Sequence, residues 1–200
     1  MSTKSCNSLT LIIASAIALF CSCDAAGAAG LPLNEITQRV EPDHTQSPGV
    51  MLRLARAAWI PGGARTSSSK IYVFTDTQCP YCHTLWQQIH AANPQVQVRY
   101  LLVAKLQPVS WDQAAAILQA SDPLVALNQH EMRFSEGGIA PAKQVAVATR
   151  ENLELNNLFM DTLGIFATPA IVYADEAGVT RILQGLPSAE RLQELLSQGR

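Results

Sequence analysis

The stretch Ile71 to Ile89, IYVFTDTQCPYCHTLWQQI, switches abruptly from one hydrophobic period to another, and that switch limits what the chain can fold into. Ile71 to Thr75 are β-branched or aromatic and read as a short buried strand. Asp76 to Gln78 read as a turn, and Pro80 onward as an amphipathic helix that must stop before Pro94. Proline suits a first helical position, because its ring presets φ and its missing N–H would find no partner there. Cys79 is therefore the expected N-cap.

Two effects act on a thiol at that place. Its sulfur faces the unpaired N–H groups of the first turn, here those of Tyr81 and Cys82, and the positive end of the helix dipole. Such a cysteine drops from about 8.5 into the range of about 3.5 to 7.5 and is ionised near neutral pH. Cys82 shares a helical face with Leu85, Trp86 and Ile89, the face that packs on a sheet. The expectation is an exposed attacking Cys79 and a buried Cys82 that resolves a mixed disulfide.

The chain has 200 residues, 48% of them apolar, and a net charge of −2, which fits one globular domain behind a targeting segment. No basic excess exists to bind nucleic acid. Lys4, the apolar run Leu9 to Phe20 and the small residues through Gly30 read as an export signal covering residues 1–28, with Ala26-Gly27-Ala28 as the cleavage site. The run is too short to span a bilayer, which takes about 20 residues. A lipoprotein acylated at Cys23 is the competing reading, and the bulky Phe20 fits it poorly. Of five cysteines, Cys6, Cys21 and Cys23 fall within the signal, so the mature chain keeps only Cys79 and Cys82. A lone close pair in an exported domain large enough to dispense with a structural bridge points to a working pair.

Residues 29–48 read as an extended leader and residues 49–63 as a linker helix, Val50 to Trp59, stopped by Ile60-Pro61-Gly62-Gly63. Ala64 to Lys70 is a connector into the domain at 64–200. After the thiol helix, Val96 to Val103 is a second strand, and residues 104–149 form a helical insertion with starts at Ser110 or Trp111 and at Asp122-Pro123 and a break at Glu136-Gly137-Gly138. A helix from Arg150 to Leu163 closes at Gly164, strands Ala170 to Tyr173 and Val179 to Leu183 form an antiparallel pair, and Ser188 to Ser197 is a terminal helix. The sum is an α/β fold on a mixed central sheet.

A CxxC that follows a strand and opens a helix looks like a thioredoxin-fold redox site, and Thr168-Pro169 before a strand looks like that fold's cis-proline loop. With Leu101-Leu102-Val103, Ala114 to Leu118, Asp122-Pro123, Leu163-Gly164 and Ala167 to Ile171, the chain resembles the DsbC/DsbG family of periplasmic thiol:disulfide proteins over roughly Val50 to Leu196, its DsbG branch in particular. The resemblance implies a thioredoxin-like domain acting on protein disulfides or sulfenic acids, with Cys79 as nucleophile and Cys82 as resolving thiol. It also implies that Thr168 and Pro169 offer backbone groups to a substrate peptide, that cysteine-containing exported proteins are the clients, and that a membrane electron donor of the Dsb type serves the pair. No cofactor beyond the dithiol is implied. Family members dimerise through a domain ahead of the linker helix. Only about twenty residues lie between Ala28 and Gly49, below the roughly 40 a small domain needs, so a monomer is expected.

Other readings of the same residues stay in view. Cys79 and Cys82 could form an inert pair, and Cys79 to His83 is literally C-x-x-C-H, the attachment signature of c-type haem. The strand leading into the motif and the Thr168-Pro169 that answers it oppose the haem reading. Zinc capture by Cys79, Cys82 and His83 lacks a second ligand pair, since His44 and His90 have no paired spacing. His83 is expected on the solvent side of the first turn, solvated or tuning Cys79 as a cation. Asp76 is either an acid near the thiols or a turn residue, Trp86 a core residue and Tyr81 an exposed, substrate-facing ring. A chaperone-like peptide-binding module and a monomeric dithiol oxidase are the rival functions.

Overall fold

The computed structural model describes residues 36–39 and 47–197. The export signal, Cys23 and most of the leader lie outside them. Among the described residues are strands β1 (Ile36–Arg39), β2 (Trp59–Gly63), β3 (Lys70–Asp76), β4 (Gln97–Val103), β5 (Ala170–Ala174) and β6 (Thr180–Gln184). The helices are α1 (Ser47–Leu54), α2 (Pro80–Ala92), α3 (Pro108–Leu118), α4 (Pro123–Met132), α5 (Val147–Thr162) and α6 (Ala189–Ser197), with a 3-10 turn at Phe134–Glu136.

The sheet order is β1-β6-β5-β3-β4-β2. Among the described residues only β3 and β4 run parallel, in register from Lys70 opposite Gln97 to Asp76 opposite Val103; the other pairings there are antiparallel. Side chains alternate across β3, so Ile71 and Val73 face one layer and Tyr72 and Phe74 the other. The first layer packs Leu85 and Ile89 of α2, Ala114 and Ile117 of α3, Leu127 of α4 and Leu195 of α6. The second packs Val50 and Leu54 of α1 and Met160 of α5. Burial on both faces is why β3 reads as an unbroken apolar run, and it places the strand-to-helix junction at the end of a central strand.

Several boundaries differ from those read in the sequence. Helix α1 ends at Leu54, and Trp59–Gly63 is not its tail but a strand at the sheet edge, antiparallel to β4 from Trp59 opposite Leu101 to Gly63 opposite Gln97. An edge tolerates Pro61, which has no N–H to give. Gly62 is required because a Cβ there would stand 2.9 Å from the Tyr100 ring. The leader also contributes structure, since β1 pairs with β6 from Ile36 opposite Gln184 to Arg39 opposite Arg181. Helix α3 starts at Pro108, because the Ser110 hydroxyl accepts the Gln107 N–H in a capping box. Helix α5 starts at Val147, and Gly164 (φ 65°) follows its end. The 175–178 turn joins β5 to β6 as expected.

Candidate active site

Cys79 caps α2 from an extended conformation (φ −95°, ψ 112°), with Pro80 at the first helical position. Its sulfur accepts the Cys82 N–H at 3.3 Å, and its thiol donates to the Thr168 carbonyl at 3.3 Å. The Thr168–Pro169 peptide bond is cis, and the two cysteines are unbonded. The Cys79 thiol is lowered to about 7, chiefly by the Cys82 S–H donating to the sulfur and against the cost of desolvation. The Thr168 hydroxyl and the N–H groups of Cys82 and Tyr81 add to that lowering. The Thr168 hydroxyl is buried without a hydrogen-bond partner, and the Cys79 sulfur is the group it bears on.

Cys82 behaves in the opposite way. Desolvation drives its thiol well above the ordinary value, and the neighbouring Cys79 pushes in the same direction. The expected contrast in exposure is not found, since both residues are 2% exposed. Cys79 is covered because its sulfur lies between the first turn of α2 and the Thr168 carbonyl. What separates the two thiols is the balance of desolvation and donors: desolvation prevails at Cys82, and the donors gathered on the Cys79 sulfur prevail there.

The three residues leading to Cys79 are anchored from the insertion. Asp76 is buried, and its Oδ2 accepts the N–H groups of Lys105 (2.8 Å) and Leu106 (3.1 Å). Its Oδ1 accepts the Ser110 hydroxyl at 2.7 Å and the Gln78 N–H at 2.9 Å. A carboxylate so occupied ties the end of β3 to the β4–α3 loop. The Thr77 carbonyl accepts from Nε2 of His130 at 2.9 Å, and Gln78 donates from Nε2 to Oε1 of Gln113 at 2.6 Å.

His83 is not left to solvent. Its Nδ1 lies 3.0 Å from Oε2 of Glu131, and its ring stacks on Phe134 with centroids 4.7 Å apart and planes 8° apart. Burial pushes the Glu131 carboxyl up, opposed by the hydrogen bond to His83. Trp86 is only partly buried and donates to Asn128 at 3.2 Å, its ring nearly parallel to His83 at 6.3 Å and tilted against His90 at 4.5 Å. Tyr81 is 59% exposed, as expected, and Phe166, two residues before Thr168, is exposed too. Glu131, His130, Ser110 and Gln113 were not readable as site residues. No local pattern connects them to partners 34 or more positions away, and only the folded insertion brings them there.

The comparisons with known proteins agree with this architecture. Residues 64–200 match the model of the thioredoxin-like domain. The chain is 33% identical over 149 residues to the thiol:disulfide interchange protein DsbG of Pseudomonas aeruginosa, an alignment covering 72% of this chain and 57% of that protein. It is 32% identical over 146 residues to the protein of the same name in Escherichia coli, covering 72% of this chain and 59% of that one. The chain thus spans less than two thirds of the length of these relatives. Among solved structures, a periplasmic thioredoxin-like protein from Salmonella enterica serovar Typhimurium superposes with a TM-score of 0.60 at 20% identity, over 74% of this chain and 93% of that one. The catalytic domain of Proteus mirabilis ScsC gives 0.58 at 22% identity, over 70% and 88%. These two likenesses speak to the fold. The chain belongs to the thioredoxin-like domain family, and its sequence is similar to the thiol:disulfide interchange protein DsbG.

Proposed function

We propose that this chain is a periplasmic thiol:disulfide oxidoreductase that works through Cys79 and Cys82 on cysteine-containing exported proteins. The observation that carries the reading is the difference between the two sulfurs: one surrounded by donors at a helix N-terminus and lowered to about 7, the other held as a thiol by desolvation. Similarity to DsbG supports the reaction class. The reading of the amino-terminal run as an export signal supports the compartment.

The Cys79 thiolate attacks one sulfur of a substrate disulfide, forming a mixed disulfide and releasing the other substrate sulfur as a thiolate, which takes up a proton. On a sulfenic acid the same attack forms the mixed disulfide and releases hydroxide, protonated to water. Cys82 then loses its proton and attacks the Cys79 sulfur. Substrate leaves as a thiolate, and Cys79–Cys82 is left oxidised, two electrons having passed to the substrate. A dithiol donor, for which a membrane partner of the Dsb type is the natural class, restores the pair. In this scheme the Thr168 hydroxyl and the cis-Pro169 loop face the reacting sulfur, and Tyr81 forms part of the mouth that a substrate meets. The two thiols suffice without a further cofactor.

The test is a Cys82→Ser variant expressed in the periplasm. It should accumulate mixed disulfides with exported proteins through Cys79, released by reductant and absent in Cys79→Ser. If Cys82→Ser traps nothing while Cys79→Ser keeps full biological activity, the chain binds peptides without thiol chemistry, and the proposal is wrong.

A further inference from the structure

Two adjacent residues of α4 grip the thiol motif from opposite sides. His130, fully buried, donates from Nε2 to the carbonyl of Thr77, two residues before Cys79. Its Nδ1 accepts the Ile139 N–H at 3.3 Å, so both ring nitrogens are occupied and the neutral tautomer is fixed. The ring fits because residue 138 is glycine; a Cβ there would stand 2.3 Å from Nδ1. Glu131 holds the imidazole of His83, four residues after Cys79, at 3.0 Å, and Phe134 covers the face of the same ring.

Between these grips lie the bonds that place the nucleophile. The Cys79 N–H donates to the Asp76 carbonyl at 3.1 Å, and the Cys79 sulfur rests on the Cys82 N–H at 3.3 Å. The height of that sulfur over the first turn of α2 depends on how the Thr77–Gln78 segment sits relative to Pro80–His83. Helix α3 also holds the loop, through Gln113 on Gln78 and Ser110 on Asp76, but α4 bonds both the segment before Cys79 and the helical turn after it. We propose that His130 and Glu131 are positioning residues for Cys79, holding the loop before it and the helical turn after it at the spacing that keeps its sulfur on the donors of α2. The helical insertion, and not the central sheet alone, then sets the reactivity of the thiol pair. This rests on Cys79 being the nucleophile and adds to that reading what holds it in place.

A sulfur moved off its donors loses thiolate, and a shift of one pKa unit is about tenfold in thiolate fraction below the midpoint. The experiment is alkylation of the reduced full chain by iodoacetamide at about pH 6, well below the free-thiol range, with the thiolate titration and the melting temperature measured alongside. His130→Leu removes the Thr77 grip and should slow Cys79 alkylation by about 3- to 10-fold. His130→Gln, which can present an N–H donor where Nε2 stood, should recover most of the rate. Glu131→Ala should slow the reaction by a similar factor, while Glu131→Gln, still an acceptor for His83, should recover most of it. If His130→Leu fails to fold, the Glu131 pair decides alone. A residue with only a structural role would lower the melting temperature and leave the alkylation midpoint in place. Folded variants that alkylate like the wild type, with the wild-type midpoint near 7, would overturn the positioning role. A wild-type midpoint in the ordinary thiol range would instead overturn the assignment of Cys79.

Discussion

His83 Nδ1 stands 3.0 Å from Oε2 of Glu131, a carboxylate only 3% exposed, so the first turn of the thiol helix is fastened to the insertion by a largely buried pair. Removing one member of such a pair leaves the other desolvated and unpartnered, which costs more than the pair contributes. His83→Ala should therefore destabilise the chain by about 1 to 3 kcal/mol, read from urea unfolding. His83 opposes the upward push of burial on Glu131, so its loss lets the carboxyl rise further. The deficit should be largest near neutral pH and shrink as Glu131 protonates in acid. A deficit that does not depend on pH would mean that the lost interaction is the ring stack with Phe134 rather than the charge.

The second histidine of the site should show itself as acid sensitivity. Burial lowers the His130 pKa, so the folded chain holds this ring neutral while the unfolded chain protonates it near 6.5. The stability it contributes is present above that value and lost as pH falls below it. The groups that bear on it are His83, which lowers it further, and Asp76 and the Thr77 carbonyl, which raise it. Melting temperatures should fall between about pH 6.5 and pH 5 more steeply for the wild type than for His130→Gln. Equal slopes would remove His130 as the titrating group.

Asp76 offers a sharper test of the network before Cys79. Its carboxylate oxygens accept four hydrogen bonds and donate none. Asp76→Asn would turn an amide NH2 toward at least one of them. We expect a loss of about 2 to 4 kcal/mol in denaturant unfolding, because charge-assisted bonds are lost and a donor is left buried. A nearly neutral substitution would show that this carboxylate is not what anchors the loop.

The parts of this fold that were legible in the sequence are those with local causes. Pro80 after Cys79 marks the helix start, and the apolar runs of β3 and β4 announce strands covered on both faces. Asp175 to Gly178 marks a tight turn between antiparallel neighbours. Trp59–Gly63 defeated the same reasoning because Pro and two Gly read as a helix stop, whereas at a sheet edge one suits the missing partner and another makes room for Tyr100. The burial of Cys79 and the capture of His83 were invisible for another reason. Thr168 lies 89 positions from Cys79 and Glu131 48 positions from His83, so neither contact leaves any local periodicity.

The acidity of one sulfur decides whether Cys79 is the nucleophile. Ultraviolet thiolate absorbance of the reduced chain, followed against pH with Cys79→Ser as the blank, should give a Cys79 midpoint at about 7. Since that value is depressed in the folded state, the reduced form should gain stability over the oxidised one as pH rises above 7, and lose that gain as pH falls through it. A midpoint at or above about 8.5, with no pH-dependent difference between the two redox forms, would contradict the central claim.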